Sequence, residues 1–207
     1  MNLFVLGATG KTGSAIVAQA LARGHHITTF GRTEPRAGPA QHRRDLVGSP
    51  MDEDALAQAM LGHDIVLSVL GTRGLGATSV LQDGARATLE AMRRADVKRL
   101  LILSSALLDR RIGVFPAIAA STVLRHHRRD QLAMESLVTK SSVEWIVLRP
   151  PRMTDAAKRS RYVLTVGAPT DSRGMSIGGD EVARAMLDIA ESGQFVRAIV
   201  RLRGVPS

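Results

Sequence analysis

The chain has 207 residues and a formal net charge of +9; 44% of it is hydrophobic, 23% charged and 3% aromatic, and it has no cysteine. That length suits one domain with a sizeable core, and the lack of cysteine excludes disulfides, thiol catalysis and cysteine metal sites. No apolar run reaches the roughly 18 residues of a membrane span, and the first strand pattern begins almost at Met1 with no basic leader, so a cytoplasmic protein is expected.

Leu3 to Leu6 reads as a buried strand, followed by a helix from about Thr12 with Ile16, Val17, Ala20 and Leu21 on one face. Arg23-Gly24 ends it, glycine suiting the left-handed position after a helix. His26 to Phe30 is the second strand, and Asp45-Leu46 follows the expected third. Ser49-Pro50 predicts an N-cap and first helical turn, opening a helix with Leu56, Met60 and Leu61 that stops at Gly62. Asp64 to Leu70 is a continuous apolar strand, as in a parallel sheet covered on both faces. Leu81, Ala85, Thr88, Leu89 and Met92 share one helical face. Arg99 to Ser104 and Glu144 to Leu148 are further buried strands. Between them Leu124 to Lys140 reads as a helix with Leu132, Leu137 and Val138 inward. Past Pro150-Pro151 the pattern predicts a short strand over Tyr162 to Val166, a capped helix over Asp180 to Glu191 and a last strand over Phe195 to Arg201. The alternation predicts an α/β fold, a doubly wound parallel Rossmann sheet with right-handed crossovers. It forms one domain over 1–207, with a core over about 1–150 and a substrate-side segment over about 151–207.

Chemistry in such a sheet belongs beyond the strands' C-terminal ends. The first of these ends carries Gly7-Ala8-Thr9-Gly10-Lys11-Thr12-Gly13 between a strand and a helix. Glycines let the turn approach a pyrophosphate, and the helix directs its N–H groups and positive dipole end at the phosphates. The spacing is G-x-x-G-x-x-G rather than G-x-G-x-x-G, the pattern of extended and atypical short-chain dehydrogenase/reductases, which the sequence resembles here. Strand two ends in Gly31-Arg32-Thr33 with no carboxylate to hold ribose hydroxyls, and Glu34 lies beyond the arginine. Arg32 can pair with a 2′-phosphate through its planar fork, Thr33 can donate to it, and Arg36 is a second cation. NADP(H) is therefore expected over NAD(H). Asp45, with Leu46, is expected to meet the adenine.

The remaining strand ends widen the resemblance. Leu70-Gly71-Thr72-Arg73, Gly84-Ala85-Arg86, Ser104-Ser105-Ala106, Pro150-Pro151 with Asp155, and Gly174 to Asp180 resemble the biliverdin reductase B / NADPH flavin reductase family, close to the NmrA-like group. The likeness covers nearly the whole chain and thins over Leu107 to Arg125. It implies that Leu70, Gly71, Thr72, Arg73 and Ser104 border the cofactor, that Pro151, Arg152 and Met153 flank the nicotinamide end, and that Ser105 is the catalytic or orienting hydroxyl. The Tyr-x-x-x-Lys pair of most short-chain dehydrogenases is missing: the single tyrosine is Tyr162, with Val166 four residues on. If Glu135 marks the helix glutamate of many extended members, the tyrosine and lysine slots fall on His127 and Gln131. Gln131 can bond the nicotinamide ribose but cannot act as an acid.

Two functions follow. One is an NADPH-dependent reductase passing hydride to a flavin, quinone or tetrapyrrole-like acceptor, a delocalised sink that needs orientation more than an acid. The other is an NmrA-like sensor that binds NADP(H) without turnover. The arginines are spread in pairs and aromatics are few, so a solvated basic surface is expected rather than a nucleic-acid or membrane face. A small-molecule acceptor, a monomer or small homo-oligomer, and no metal site complete the reading.

Overall fold

The computed structural model describes residues 1–35, 41–71, 78–109, 120–154, 161–167 and 176–205. Ten strands and five helices follow in chain order: β1 (Asn2–Leu6), α1 (Lys11–Ala22), β2 (His26–Gly31), β3 (Arg43–Val47), α2 (Glu53–Met60), β4 (Ile65–Ser68), α3 (Val80–Ala95), β5 (Arg99–Leu103), α4 (Ala120–Thr139), β6 (Glu144–Arg149), β7 (Arg152–Thr154), β8 (Arg161–Val166), β9 (Ser176–Gly178), α5 (Gly179–Ser192) and β10 (Ala198–Val205).

Eight strands form one sheet in the order β3-β2-β1-β4-β5-β6-β10-β8. All its pairings are parallel except β10 with β8, so the doubly wound sheet carries one antiparallel edge strand. The chain winds outward from β1 to β3, returns to β4 on the other side of β1, and winds away again. That reversal puts the switch point between the C-terminal ends of β1 and β4.

Strand periodicity explains the two cores. Leu3 and Val5 face α1 and α5, joining Ile16, Val17, Val182, Met186 and Ile189. Phe4 and Leu6 face the other way, against Leu56, Met60, Leu81, Met92 and Met134 of α2, α3 and α4. Each of these side chains, fully buried, contributes about 1.5–3 kcal/mol.

The C-terminal stop of α1 is as expected: Arg23 is its C-cap and Gly24 has φ +78. Other details differ. The cap of α2 is Asp52, whose carboxylate accepts from the N–H groups of Asp54 and Ala55 at 3.1 and 3.0 Å. Ser49 instead closes a turn, its Oγ accepting from Met51 N at 3.2 Å, so the helix starts one turn later than Ser49-Pro50 predicts. Leu132 is 40% exposed, because the buried stripe of α4 runs through Asp130, Met134 and Val138. A buried aspartate holds the position that hydrophobicity alone assigns to a leucine. That carboxylate accepts from Leu81 N at 3.1 Å and Gln82 N at 2.9 Å, capping α3 from another helix. The cap residue of α5 is Gly178, which has no side chain to cap with; Gly193 at φ +65 closes its other end. The parallel pair β7–β9 is additional to the predicted elements.

Candidate functional site

At the switch point the chain leaves β1 at Gly7 with φ +87. A Cβ there would lie 2.6 Å from the Val69 carbonyl oxygen, so the turns after β1 and β4 touch backbone to backbone. Gly10 N donates to Gly7 O at 3.1 Å. A Cβ on Gly13 would lie 2.2 Å from Gly7 O and 2.7 Å from the Ala8 Cα, whereas one on Gly10 would meet only Gly7 O, at 3.4 Å. Gly7 and Gly13 therefore fold the turn, and Gly10 keeps its outer surface bare. Gly10 is the N-cap of α1; a glycine has no side chain to cap with, and the first turn holds no acid. Thr9, Gly10 and Lys11 are exposed, and Thr12 is buried. The start of a twelve-residue helix that its own cap residue leaves without a side-chain bond, behind a bare glycine, fits a phosphate-bearing group.

The end of β2 supplies the next piece. Arg32 and Thr33 are exposed, and Arg32 enters no ion pair among the described residues. Its guanidinium is thus available to an anion. Arg36 lies outside the described residues. Asp45 does not follow the third strand as expected. It sits inside β3, opposite Thr29, and its carboxylate accepts from Thr29 Oγ1 and, at 3.0 Å, from Arg43 Nε. Leu46 is half-buried and packs against the core around Phe30.

Register carries the site along the sheet edge. Leu6 lies beside Ser68, Ser68 beside Ile102, and Ile102 beside Val147. The turns after β1, β4, β5 and β6 are therefore side by side. Leu70 is half-buried and Gly71 exposed; a Cβ on Gly84 of α3 would come within 2.8 Å of Leu70 Cδ1, so that glycine makes room for the turn. Thr72, Arg73, Asp155 and Gly174 lie outside the described residues. Ser104 is buried, its N–H on Leu148 O at 2.8 Å and its hydroxyl on Glu135 of α4. Ser105 is half-buried. Its Oγ accepts from Leu107 N at 3.2 Å, opening a 3₁₀ turn over Ala106–Asp109, and that bond leaves the hydroxyl proton free of it. Ala106 N donates to Pro150 O at 2.9 Å, placing Pro151 beside the serine turn. Pro151 is buried, while Arg152 and Met153 of β7 are exposed. Arg152 has no ion-pair partner among the described residues. Gln131 and His127 are half-buried, one and two helical turns from Glu135 on the same face of α4.

A charge network behind this edge was not read from the sequence. Arg149, the last residue of β6, donates from Nε to Glu135 Oε1 at 3.0 Å and pairs also with Asp109. Arg201 of β10 donates to both oxygens of Asp109 at 2.9 Å and to the Gly167 carbonyl. Burial pushes the Asp109 carboxyl up, but Arg201 and Arg149 more than reverse this and hold it below the usual range. Burial pulls Arg149 down, and Glu135 and Asp109 reverse that too. One signal was available: Arg149, a charge, closes the apolar run of β6.

The single tyrosine stands elsewhere. Tyr162 bonds Asp188 of α5, which also pairs with Arg23 at 2.7 Å, beyond the far end of α1 from the glycine turn. Among the described residues no three His, Asp or Glu side chains converge as a metal site, and no helix is long and apolar enough to cross a membrane.

Comparison with known proteins bears on the fold and the cofactor. A chain from Burkholderia pseudomallei, described provisionally as an exported protein, is 27% identical, with TM-score 0.78 over 98% of this chain and 99% of that one. A short-chain dehydrogenase/reductase from Veillonella parvula, solved with NADP, is 18% identical, with TM-score 0.79 over 98% and 94%. A Streptococcus pneumoniae protein provisionally assigned as an NADH-flavin reductase is 19% identical, with TM-score 0.82 over 99% and 100%. The last two likenesses are of fold. A curated relative, 4-hydroxy-tetrahydrodipicolinate reductase from Natronomonas pharaonis, is 50% identical over 38 residues, which span 18% of this chain and only 15% of that protein's length. The family model described as NAD(P)H-binding matches residues 7–193. With that match over most of its length, the chain belongs to the NAD(P)H-binding family.

Proposed function

We propose that this protein is an NADPH-dependent reductase of the atypical short-chain type, delivering hydride to a flavin, quinone or other conjugated acceptor beside Ser105. The observation that carries this reading is the row of strand ends. It joins a bare glycine turn at a helix start, an Arg32 with no ion pair among the described residues, and a half-exposed serine hydroxyl with an uncommitted proton on one edge of the sheet. When bound, the dihydronicotinamide supplies the hydride. Gly10 and the start of α1 hold the pyrophosphate, and Arg32 with Thr33 takes the 2′-phosphate, which gives the preference for NADPH. Thr9, Lys11 and Thr12 line the glycine turn, Leu70 and Gly71 the middle of the site, and Pro151 and Met153 its nicotinamide end. Gln131 reaches the nicotinamide ribose. Ser105 donates to a carbonyl of the acceptor, and Arg152, exposed and unpaired, favours one bearing a phosphate or carboxylate. Positioning of donor and acceptor supplies much of the rate, up to about 7–11 kcal/mol in ideal cases.

The test is NADPH consumption with FMN or a quinone dye, followed at the nicotinamide absorbance band. Saturable turnover that falls in Ser105→Ala supports the reductase. A second reading, a sensor that binds NADP(H) without turnover, is favoured by the commitment of Tyr162 to Asp188. Tight NADP(H) binding with no consumption across a broad acceptor panel is its signature and would sink the reductase.

A further inference from the structure

Two buried arginines and two buried acids alternate behind the serine turn. Glu135 is 5%, Arg201 8% and Arg149 9% exposed, and the Asp109 side chain is 6% exposed. The chain of contacts runs Ser104–Glu135–Arg149–Asp109–Arg201–Gly167. It ties together the turn after β5, α4, the end of β6, β10 and the end of β8.

Charges so deep are weak evidence for stability. Well-packed apolar residues of similar volume often hold a fold as well or better, because desolvation cancels much of the Coulomb gain. What forked guanidinium–carboxylate pairs add is fixed geometry. Here that geometry brackets one residue. Ser104 is fixed through Glu135 and Leu148 O. Asp109, at the other end of the 3₁₀ turn, is gripped by both arginines. Ser105 stands between them, and Leu108 N returns to its carbonyl at 3.2 Å. The same Arg149 immediately precedes Pro150, whose carbonyl receives Ala106 N.

We propose that Asp109, Arg149 and Glu135 are positioning residues for Ser105, holding its hydroxyl at the acceptor through the Ser104–Asp109 turn. The inference rests on the reductase reading for its kinetic consequence, but not for its structural one.

Two measurements separate these. The first is independent of turnover: amide hydrogen exchange at Ala106, Leu107 and Leu108 in wild type and Asp109→Asn. The variant is expected to exchange faster there, with the Gly7–Gly13 amides unchanged; equal protection of the turn in both proteins overturns the proposal. The second is a double-mutant cycle with Ser105→Ala, measuring kcat, KM for FMN and NADP⁺ affinity. Asp109→Asn alone is expected to lower kcat roughly 10- to 100-fold, the scale of a displaced reacting group, while NADP⁺ affinity stays within about twofold of wild type. In the Ser105→Ala background it should cost little more. Independent, multiplying losses overturn the proposal, as does an unchanged kcat with only a lower Tm. If wild type consumes no NADPH, the reductase reading fails and the exchange experiment alone decides the positioning claim. Should Asp109→Asn not fold, Arg201→Lys keeps the charge, loses the forked pair and gives the same two readouts.

Discussion

The three glycines of the opening turn do different work, and alanine at each separates folding from cofactor binding. Gly13→Ala places a methyl 2.2 Å from Gly7 O, 2.7 Å from Ala8 Cα and 2.8 Å from the Gly7 carbonyl carbon. All three are backbone atoms, so relief requires the turn to open by about 1 Å, the gap between 2.2 Å and ordinary contact. Overpacking of this kind costs about 1–3 kcal/mol. Alanine's better helix propensity offsets up to about 1 kcal/mol. A clash against backbone belongs in the upper part of that cost range, about 2–3 kcal/mol, so the net loss of about 1–2 kcal/mol lowers Tm by roughly 2–8 °C in a chain this long, and NADP⁺ binding weakens with the distorted turn. Gly10→Ala is the opposite case. Its φ of −81 and ψ of 167 suit any residue, and its Cβ meets nothing nearer than Gly7 O at 3.4 Å. Stability should hold within about 0.5 kcal/mol. On the proposed cofactor placement the new methyl stands in the path of the pyrophosphate, so NADP⁺ affinity should fall about tenfold or more, the equivalent of about 1.4 kcal/mol. Thermal melts and calorimetric titration with NADP⁺ check both variants. Wild-type affinity in Gly10→Ala would show that the phosphates do not pass over Gly10. An unchanged Tm in Gly13→Ala would refute the steric reasoning.

Three further outcomes follow from named contacts. Arg32→Ala should weaken NADPH roughly 10- to 100-fold, the worth of a charge-assisted bond of about 1.5–3 kcal/mol, and leave NADH almost unchanged; equal losses for both cofactors rule out the 2′-phosphate contact. Asp130→Ala removes the carboxylate that caps Leu81 N and Gln82 N, and urea unfolding should register a loss of about 1–3 kcal/mol, with an unchanged midpoint telling against the cap. The Asp109 carboxyl is held low in the folded chain, Arg201 and Arg149 outweighing burial. Its contribution is therefore fully present above the unfolded value of about 3.9 and lost as pH falls through the lower folded value. The stability gap between wild type and Asp109→Asn should be flat near neutrality and narrow below about pH 4. A gap that widens on acidification reverses the sign of the argument.

Elements with strong periodicity were legible in the sequence. β1, the glycine turn and α1 follow from an apolar run, three glycines and a 3.6-residue stripe, and the strand ends follow from the alternation. Short and local features were not. Three residues each of β7 and β9 carry no period to read, and two oxygen-bearing residues, Ser49 and Asp52, compete for one helix start. Polar residues on buried faces were the other failure. Asp130 sits in the stripe of α4 because it finishes another helix, and hydropathy counts it as exposed. The network was illegible for a stronger reason: its members, at 109, 135, 149 and 201, share no sequence neighbourhood, and only the sheet order β5-β6-β10 with α4 above brings them together.

That order also bears on where the proton comes from. The phenol of Tyr162 is pushed well above its ordinary value by burial first and by Asp188 next, so it stays protonated near neutrality. Its partner Asp188 is bound to Arg23 at the C-terminal end of α1, roughly 18 Å from the glycine turn by the length of a twelve-residue helix. A tyrosine–lysine relay therefore has no tyrosine to use among the residues of this edge. Alcohol–ketone exchange requires an acid at the reacting oxygen, whereas a flavin or quinone spreads the incoming charge over its rings and can be protonated by water. The demand on the protein then shifts from acid strength to geometry. On the proposed reductase reading, a serine bracketed by four buried charges answers that demand, so orientation, rather than proton supply, is the property that substitution at Asp109 or Arg149 should damage.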